Sequence, residues 1–434
     1  MLYSRRKFLN HSATLASVLA FSRQLRAASR LPSVHPRLFL STTGENGLQS
    51  VEDFRVGIAT EGWLRTNWLK TLARAQTEAD LPPMLPDAVL PKRNAAMVRD
   101  RNLDYELCAA VGSRLNRFAL AHLVTGDDNY RTAALAQLDA LFDPVQWPDW
   151  IDQAHIRFGH PADLRTGMLS QDVAIAYDWL YPSLNDAQRA FIREGLDRRG
   201  IQPFLTSVEQ EAWWTQDLNN WIAVIAGGAG IAGMALRGEH PQAQYLIDYA
   251  TTKFEDYLQT YGPAGEFNES VGYSGANRLP VGYFMALHYA TGGNDNRLAT
   301  HPFPAMCRWV MHATLDHKHG IPFGDAWPHN PVRSGYTAAV AAATQDPVLQ
   351  HYFLATQLEE DPHPMELLFF DSRLKPVSPT GREPLAIAYP AHGGMIVSRT
   401  SWDQPLTECI VFSKSGREEN HEHNDVGQLC FDTL

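Results

Sequence analysis

DVAIAYDWLYP, residues 172–182, is the stretch that most clearly decides the fold. Its apolar residues recur at helical spacing around most of the circumference before Pro182 interrupts the pattern. This predicts a helix packed on several sides. Similar runs at 115–123 and 221–236 end at turn signals. Helices are therefore predicted from about residue 61 to 375, and such a series can close into an (α/α) toroid.

The pattern changes after Pro384 to short runs rich in β-forming residues, at 394–399, 408–413 and 427–432. Turn signals separate these runs, which predicts the first strands of an antiparallel sheet. About three strands are fewer than a stable β-sandwich needs. We therefore predict a mainly α chain with an incomplete toroid at 29–383. The N-terminal part of a β-sandwich follows at 384–434, and this sandwich is either truncated or unusually small.

The N-terminal sequence has the features of an export signal. Arg5 and Arg6 form a twin-arginine pattern, a mildly apolar stretch follows, and Ala27 and Ala28 offer a cleavage site. The apolar stretch is too short to span a membrane, which takes about 20 apolar residues. We expect residues 1–28 to be a twin-arginine signal peptide, and the mature protein to be periplasmic or secreted without stable membrane insertion.

The charge narrows the range of partners. Residues 1–28 carry five positive charges and no negative one, so their removal changes the formal net charge from −11 to −16. An acidic protein is a poor ligand for nucleic acid or an anionic membrane. An acidic sugar would have to be met by local groups in a cleft, because the overall field would repel it.

Seven segments, in this order, resemble proteins of the heparinase II/III-like superfamily. They are His35-Pro36-Arg37-Leu38, Ala176-Tyr177-Asp178-Trp179-Leu180, Asn219-Asn220-Trp221, Asn268-Glu269-Ser270-Val271-Gly272-Tyr273, Phe323-Gly324-Asp325, Gly393-Gly394 and Asn420-His421-Glu422-His423-Asn424-Asp425-Val426-Gly427. The resemblance implies an (α/α) toroid with a C-terminal β-sandwich. It also implies a lyase acting on an acidic polysaccharide or oligosaccharide, since relatives cleave uronic-acid chains such as heparan sulfate and alginate.

The resemblance implies catalytic roles for four residues. Uronate elimination needs the carboxylate neutralised, a base at C5 and an acid at the departing O4. Asn219 or Asn220 can supply amide donors to the carboxylate, as an oxyanion hole does. Tyr273 matches the family's catalytic tyrosine, and it needs a lowered pKa to act as a base near neutrality. His421 is its expected partner.

No redox cofactor is expected, but the resemblance implies a structural zinc. The second histidine of the motif, His423, corresponds to a zinc ligand in relatives, and a closed zinc site takes about four ligands. In the family the other ligands come from beyond this motif, and only nine residues follow Asp425 here. We expect the chain ending at Leu434 to hold at most part of this site, with impaired activity.

Several alternatives remain open. Trp214, Trp221 and Glu269 are predicted to bind substrate, although core packing explains the tryptophans equally well. An Asn-Asn-Trp sequence is also typical of a helix cap, and Tyr273 of a core residue. A glycoside hydrolase could draw two carboxylates from Glu266, Glu269, Asp178 and Asp325. An inactive carbohydrate-binding homologue is the third possibility, and the sequence leaves the oligomeric state undetermined.

Overall fold

A ring of paired α-helices forms most of the structure, which is a computed structural model. It describes residues 34–44, 48–86, 102–293, 295–315, 319–321, 325, 335–356, 362–392, 394–403, 409–413 and 429–432. The predicted signal peptide lies outside the described residues.

Sixteen α-helices are assigned in the described ranges. In chain order they are α1 (Val51–Ala59), α2 (Trp63–Ala79), α3 (Asn102–Thr125), α4 (Asp128–Phe142), α5 (Gln153–Arg157), α6 (Leu164–Leu180), α7 (Asp186–Leu196), α8 (Gln202–Glu209), α9 (Asn220–Ala235), α10 (Ala243–Leu258), α11 (Ser270–Tyr273), α12 (Arg278–Ala290), α13 (Phe303–His312), α14 (Tyr336–Thr344), α15 (Pro347–Ala355) and α16 (Pro364–Phe369).

Six of these helices form the inner wall of the ring. Helix α3 contacts α6, α6 contacts α9, α9 contacts α12, α12 contacts α14, α14 contacts α16, and α16 returns to α3. Outer helices alternate with them along the chain, as α4 lies against α3, α10 against α9 and α15 against α14. Because successive inner helices are separated by an outer one, their N-terminal ends lie on the same side of the ring.

Glycines let two inner helices approach closely. A Cβ at Gly228 of α9 would lie 1.9 Å from the carbonyl oxygen of Gly167 in α6, and a Cβ at Gly167 would lie 2.6 Å from the carbonyl oxygen of Val224. Only glycine fits at such a distance. The small residues of α9 therefore set the spacing of the inner wall.

A buried carboxylate fastens the N-terminal segment to the ring. Asp178 in α6 has no exposed surface, and its carboxylate accepts hydrogen bonds from the backbone nitrogens of Arg37 and Leu38. Its Oδ1 also lies 2.6 Å from Nδ1 of His35, while the indole of Trp179 donates to the carbonyl of Leu38. The segments at 35–38 and 176–180, which the sequence singled out, therefore bind each other. Their contacts attach the N-terminal segment to α6.

Four strands form an antiparallel sheet after the ring, in the order β3 (Ala386–Tyr389), β4 (Met395–Arg399), β5 (Cys409–Ser413) and β6 (Leu429–Asp432). Strands β1 (Leu40–Ser41) and β2 (Gln49–Ser50) form a separate parallel pair. Along β4, Met395, Val397 and Arg399 are buried while Ile396 and Ser398 are exposed. The guanidinium of Arg399 donates to the carbonyls of His312 and Thr314, which docks the sheet against the end of α13.

The prediction of a mainly α fold with an antiparallel sheet near the C-terminus is confirmed. The helices begin earlier than predicted, at Val51, and β3 was not predicted. None of the helices in the described ranges is long and apolar enough to cross a membrane. The boundary between the two predicted domains, at 383/384, stays a prediction.

Candidate functional site

The N-terminal side of the ring gathers the residues that the sequence singled out. Asn220 begins α9, and Tyr273 ends α11 five residues before α12 begins. Tyr105 lies in the first turn of α3, and Tyr336 begins α14. The positive ends of the helix dipoles point to this side of the ring.

Asn219 and Asn220 have different structural roles. The side chain of Asn219 caps α9, accepting a hydrogen bond from the backbone nitrogen of Trp221 at 3.0 Å. Asn220 instead donates twice to Glu269, from its backbone nitrogen to Oε2 at 2.6 Å and from Nδ2 to Oε1 at 2.8 Å. An amide nitrogen carries two N–H bonds, so one N–H of Asn220 remains for another acceptor.

Glu269 supports Asn220 and is poorly placed to contact sugar. Its side chain is only 1 % exposed, and both of its carboxylate oxygens accept from Asn220. Direct binding of substrate by Glu269 stays a prediction, and its contacts with Asn220 give Glu269 a supporting role. The pairing fixes the direction of the Asn220 amide, since rotation of that side chain would break the bond to Oε1.

Tyr273 is partly buried, and its surroundings keep its phenol protonated. Burial, together with the nearby Asp325, Glu269 and Tyr105, raises the pKa of Tyr273 to about 12. A base acting near neutrality needs the opposite change. The arrangement therefore favours Tyr273 as a proton donor.

The tryptophans divide between the core and the surface. Trp214 has no exposed surface and packs against Phe204, so it cannot offer a ring face to a sugar, which corrects that prediction. Its neighbour Trp213 is 40 % exposed, and its ring centroid lies 4.7 Å from that of Trp221. Trp213 and Trp221 together form an aromatic surface beside Asn220.

A histidine–aspartate pair adjoins this surface and was not predicted. Nδ1 of His155 lies 2.8 Å from Oδ2 of Asp163, and the His155 ring lies edge-on to Trp221 at 5.0 Å between centroids. Burial alone would raise the pKa of Asp163, but the hydrogen bond from His155 and the charge of Arg165 outweigh it and lower the pKa. An ionised carboxylate only accepts, so Nδ1 of His155 donates to Asp163, and Nε2 of His155 takes no part in this pair.

A cavity of about 310 Å³ lies on the axis of the ring. It is lined from α3, α6, α12, α14 and α16, mostly by residues in the first two or three turns of these helices. It therefore lies towards the N-terminal side, where Asn220 and Tyr273 are. Its polar lining was not predicted from sequence and comprises Tyr105, Gln171, Asp172, Arg278, Tyr336, His363 and Glu366.

Burial controls the charges in this cavity. It raises the pKa of Asp172 to about 7, although Arg278 and hydrogen bonds from Asn116 and Gln171 counteract part of the increase. Burial and the nearby charges of Arg278 and Arg117 together lower the pKa of His363 to about 3. Near neutrality His363 is therefore uncharged and Asp172 is partly protonated.

The carboxylates considered for a hydrolase are mostly structural. Asp178 anchors the N-terminal segment, and Glu269 holds Asn220. Glu266 is 1 % exposed and accepts from the backbone nitrogens of Ala264 and Ala391. Asp325 is exposed and close enough to Tyr273 to raise its pKa.

The predicted histidine pair, His421 and His423, lies outside the described residues. The predicted zinc ligand is therefore not located. Within the described ranges, no group of three or more His, Cys, Asp or Glu side chains could hold a metal ion.

Comparisons with known proteins found structural matches but no sequence match. No protein-family model matches the chain, and no curated protein does. One solved structure that matches is a heparinase III, with 14% sequence identity and a TM-score of 0.48. The match covers 77% of this chain and 50% of the heparinase III chain. The chain thus spans about half the length of the heparinase III that it matches.

Proposed function

We propose that this chain is a polysaccharide lyase that cleaves a uronic-acid-containing chain by β-elimination. The observation that carries the proposal is the joint position of Asn220, Glu269 and Tyr273. Glu269 accepts two hydrogen bonds from Asn220 and is close enough to Tyr273 to raise its pKa. The amide of Asn220 and the protonated phenol of Tyr273 therefore both lie near the carboxylate of Glu269.

These groups match the needs of elimination at a uronate. The remaining N–H of Asn220 would donate to the substrate carboxylate and stabilise the negative charge that develops when the C5 proton leaves. Tyr273 would donate its proton to O4 as the C4–O4 bond breaks, and a C4=C5 double bond forms. The C5 proton needs a separate acceptor, and the resemblance offers His421 for this role.

Two further features are proposed from sequence alone. The twin-arginine pattern at Arg5 and Arg6 supports export to the periplasm or beyond. His423 would contribute to a structural zinc if the remaining ligands are supplied. Neither zinc nor a redox cofactor takes part in the proposed elimination.

A product assay tests the proposal. Elimination creates a conjugated double bond that absorbs in the near ultraviolet, whereas hydrolysis yields a new reducing end without that absorbance. Purified protein should generate the absorbance on at least one polymer from a panel that includes heparan sulfate and alginate. New reducing ends without absorbance would overturn elimination, and neither signal on any polymer would contradict an enzyme of this class.

One observation favours a hydrolase as the second candidate. Asp172 and Glu366 both line the axial cavity, and Asp172 has a pKa of about 7, as a general acid near neutrality requires. The pair differs from the four carboxylates that the sequence suggested. The product assay above separates the two reactions, since only the lyase product absorbs.

A further inference from the structure

We propose that the axial cavity is a closed subsite that takes one uncharged sugar ring from the end of the substrate chain, so that cleavage proceeds from chain ends. This inference rests on the proposed action on polysaccharides and goes beyond it, because it states which sugar enters the ring and where a chain is cut.

The cavity is joined to the candidate catalytic residues. Gly275 lines it and follows Tyr273 by two residues. Tyr105 also lines it and is close enough to Tyr273 to influence the pKa of that phenol. A sugar ring in the cavity would therefore adjoin the ring that reacts at Tyr273.

The inner end of the cavity is closed. Asp172 lies eight residues after the start of α6, which is about 12 Å along the helix at 1.5 Å per residue. Ile175 lies almost one turn deeper, and Phe39 contacts Phe369 edge-to-face at 5.7 Å between ring centroids. A continuous polymer cannot pass beyond this apolar floor, so only a chain end can enter.

The size of the cavity fits a single ring. Pockets for drug-sized ligands begin at about 300 Å³, so a volume of about 310 Å³ is at the small end of that range. One pyranose ring can enter, and a disaccharide would extend out towards Tyr273. The apolar floor suits the C–H face of a pyranose, and the polar side chains around it suit its hydroxyls.

The lining selects an uncharged ring. It carries one guanidinium, from Arg278, and two carboxyl groups, from Asp172 and Glu366, while His363 is neutral. There is no excess positive charge to neutralise a uronate carboxylate, and burying an unpaired charge is costly. The buried Oε1 of Gln171 accepts no hydrogen bond from any described residue, and a sugar hydroxyl can donate to it.

Two glycines make the proposal testable without disturbing the fold. Both Gly275 and Gly282 line the cavity, and a Cβ built at either position would meet no atom within 4 Å. Gly282 lies inside α12, where leucine is a better helix former than glycine. Gly282→Leu would therefore extend a side chain into the cavity while leaving Asn220 and Tyr273 unchanged. Gly282→Ala is the matched control, because it adds one methyl group and leaves most of the space.

The binding experiment uses two tetrasaccharides of alternating glucuronate and N-acetylglucosamine, one ending at its reducing end in the hexosamine and the other in the uronate. The reducing end is the one that matters, because elimination leaves an unsaturated uronate at each new non-reducing end. Calorimetric titration of the otherwise intact protein should show that the hexosamine-terminated chain binds roughly tenfold more tightly, as one or two well-placed hydrogen bonds allow. Gly282→Leu should abolish this preference and Gly282→Ala should keep it. Equal binding of the two chains, or a preference that survives in folded Gly282→Leu, would overturn the subsite.

The product experiment tests cleavage from chain ends. On a long polymer that the protein degrades, wild-type protein should release one short product from the first minutes while solution viscosity falls slowly. Early long fragments with a rapid fall in viscosity would overturn the inference. Failure of the lyase proposal remains distinguishable, because products without near-ultraviolet absorbance would remove elimination while leaving the binding preference intact.

Discussion

Asn220 donates two hydrogen bonds to the buried carboxylate of Glu269, at 2.6 Å from its backbone nitrogen and at 2.8 Å from Nδ2. One carboxylate thus fixes both the start of α9 and the direction of the amide at its tip. Because Glu269 also raises the pKa of Tyr273, a change in this residue should affect both groups that the proposed mechanism uses.

Glu269→Gln should lower kcat by about tenfold or more, because a neutral amide accepts at one oxygen only and the Asn220 amide loses its orientation. Glu266→Gln is the matched control, since Glu266 is equally buried and accepts two backbone N–H bonds away from Asn220. Both variants should melt at lower temperature than the wild type. Equal specific activity of the two folded variants would show that Glu269 has no role beyond stability.

His155→Gln should lower kcat/KM by up to roughly tenfold, the worth of one hydrogen bond to a sugar held beside Trp221. His240→Gln is a suitable control, because His240 also pairs with an aspartate, Asp197 at 2.9 Å, but lies beyond the opposite end of α9. Steady-state kinetics on one oligosaccharide decides the matter. Parallel effects of the two variants would argue that His155 is merely structural.

The pair His35 and Asp178 should stabilise the fold more at low pH than at high pH. Burial alone would lower the pKa of His35, but hydrogen bonds to Asp178 and Glu239 outweigh it and raise the pKa above its ordinary value. Stability from such a group is complete below its unfolded pKa of about 6.5 and is lost as pH rises through the folded value. Urea unfolding should therefore show that His35→Gln lowers the free energy of unfolding more at pH 5.5 than at pH 9. A cost independent of pH would contradict a protonated His35.

Asp178→Asn should cost about 3–5 kcal/mol of unfolding free energy, because it removes the charge that His35 and two backbone nitrogens face in a buried setting. The substitution lies away from Tyr273, so the folded fraction should keep its specific activity. A loss below about 1 kcal/mol would mean that the segment at 35–38 is held mainly by apolar contacts.

Asp172→Asn should stabilise the protein at alkaline pH. The pKa of Asp172 is raised to about 7, so its burial favours the fold only while it is protonated, and that advantage is lost as pH rises through about 7. The variant should exceed wild type by roughly 1–4 kcal/mol at pH 8, and the difference should shrink towards pH 4. Urea titrations at both values measure this, and a wild type more stable than the variant at pH 8 would contradict the raised pKa.

The sequence predicted those helices and strands that depend on a local pattern of apolar residues. The apolar runs at 172–180 and 221–236 predicted helices packed on several sides, because such burial requires apolar residues around most of the helix circumference. Strand β3 was missed, since its four residues lie between Pro384 and Pro390 and read as a connecting loop. The choice between Trp213 and Trp214 depends on which way a short 3-10 turn faces, and spacing alone does not determine that.

The site was harder to predict because its parts are distant in sequence. Asn220 and Glu269 are 49 residues apart, and His35 and Asp178 are 143 apart. The sequence motifs identified these residues individually but did not predict that they form hydrogen bonds with each other. Asp163 before α6 could have been recognised as a helix cap, but its partner His155 could not. The axial cavity forms only when the ring closes, so the sequence of any single segment cannot predict it.

The most direct test of the central claim is the rate of near-ultraviolet absorbance produced by Tyr273→Phe beside wild type, on the polymer that wild type degrades fastest. The substitution keeps the ring and removes only the hydroxyl. Tyr289→Phe is the control, because burial raises the pKa of Tyr289 to about 12 as well, but it lies near the far end of α12. We predict that Tyr273→Phe folds normally and loses at least about a hundredfold in kcat, as removal of a general acid does. Wild-type turnover in a folded Tyr273→Phe variant would contradict it.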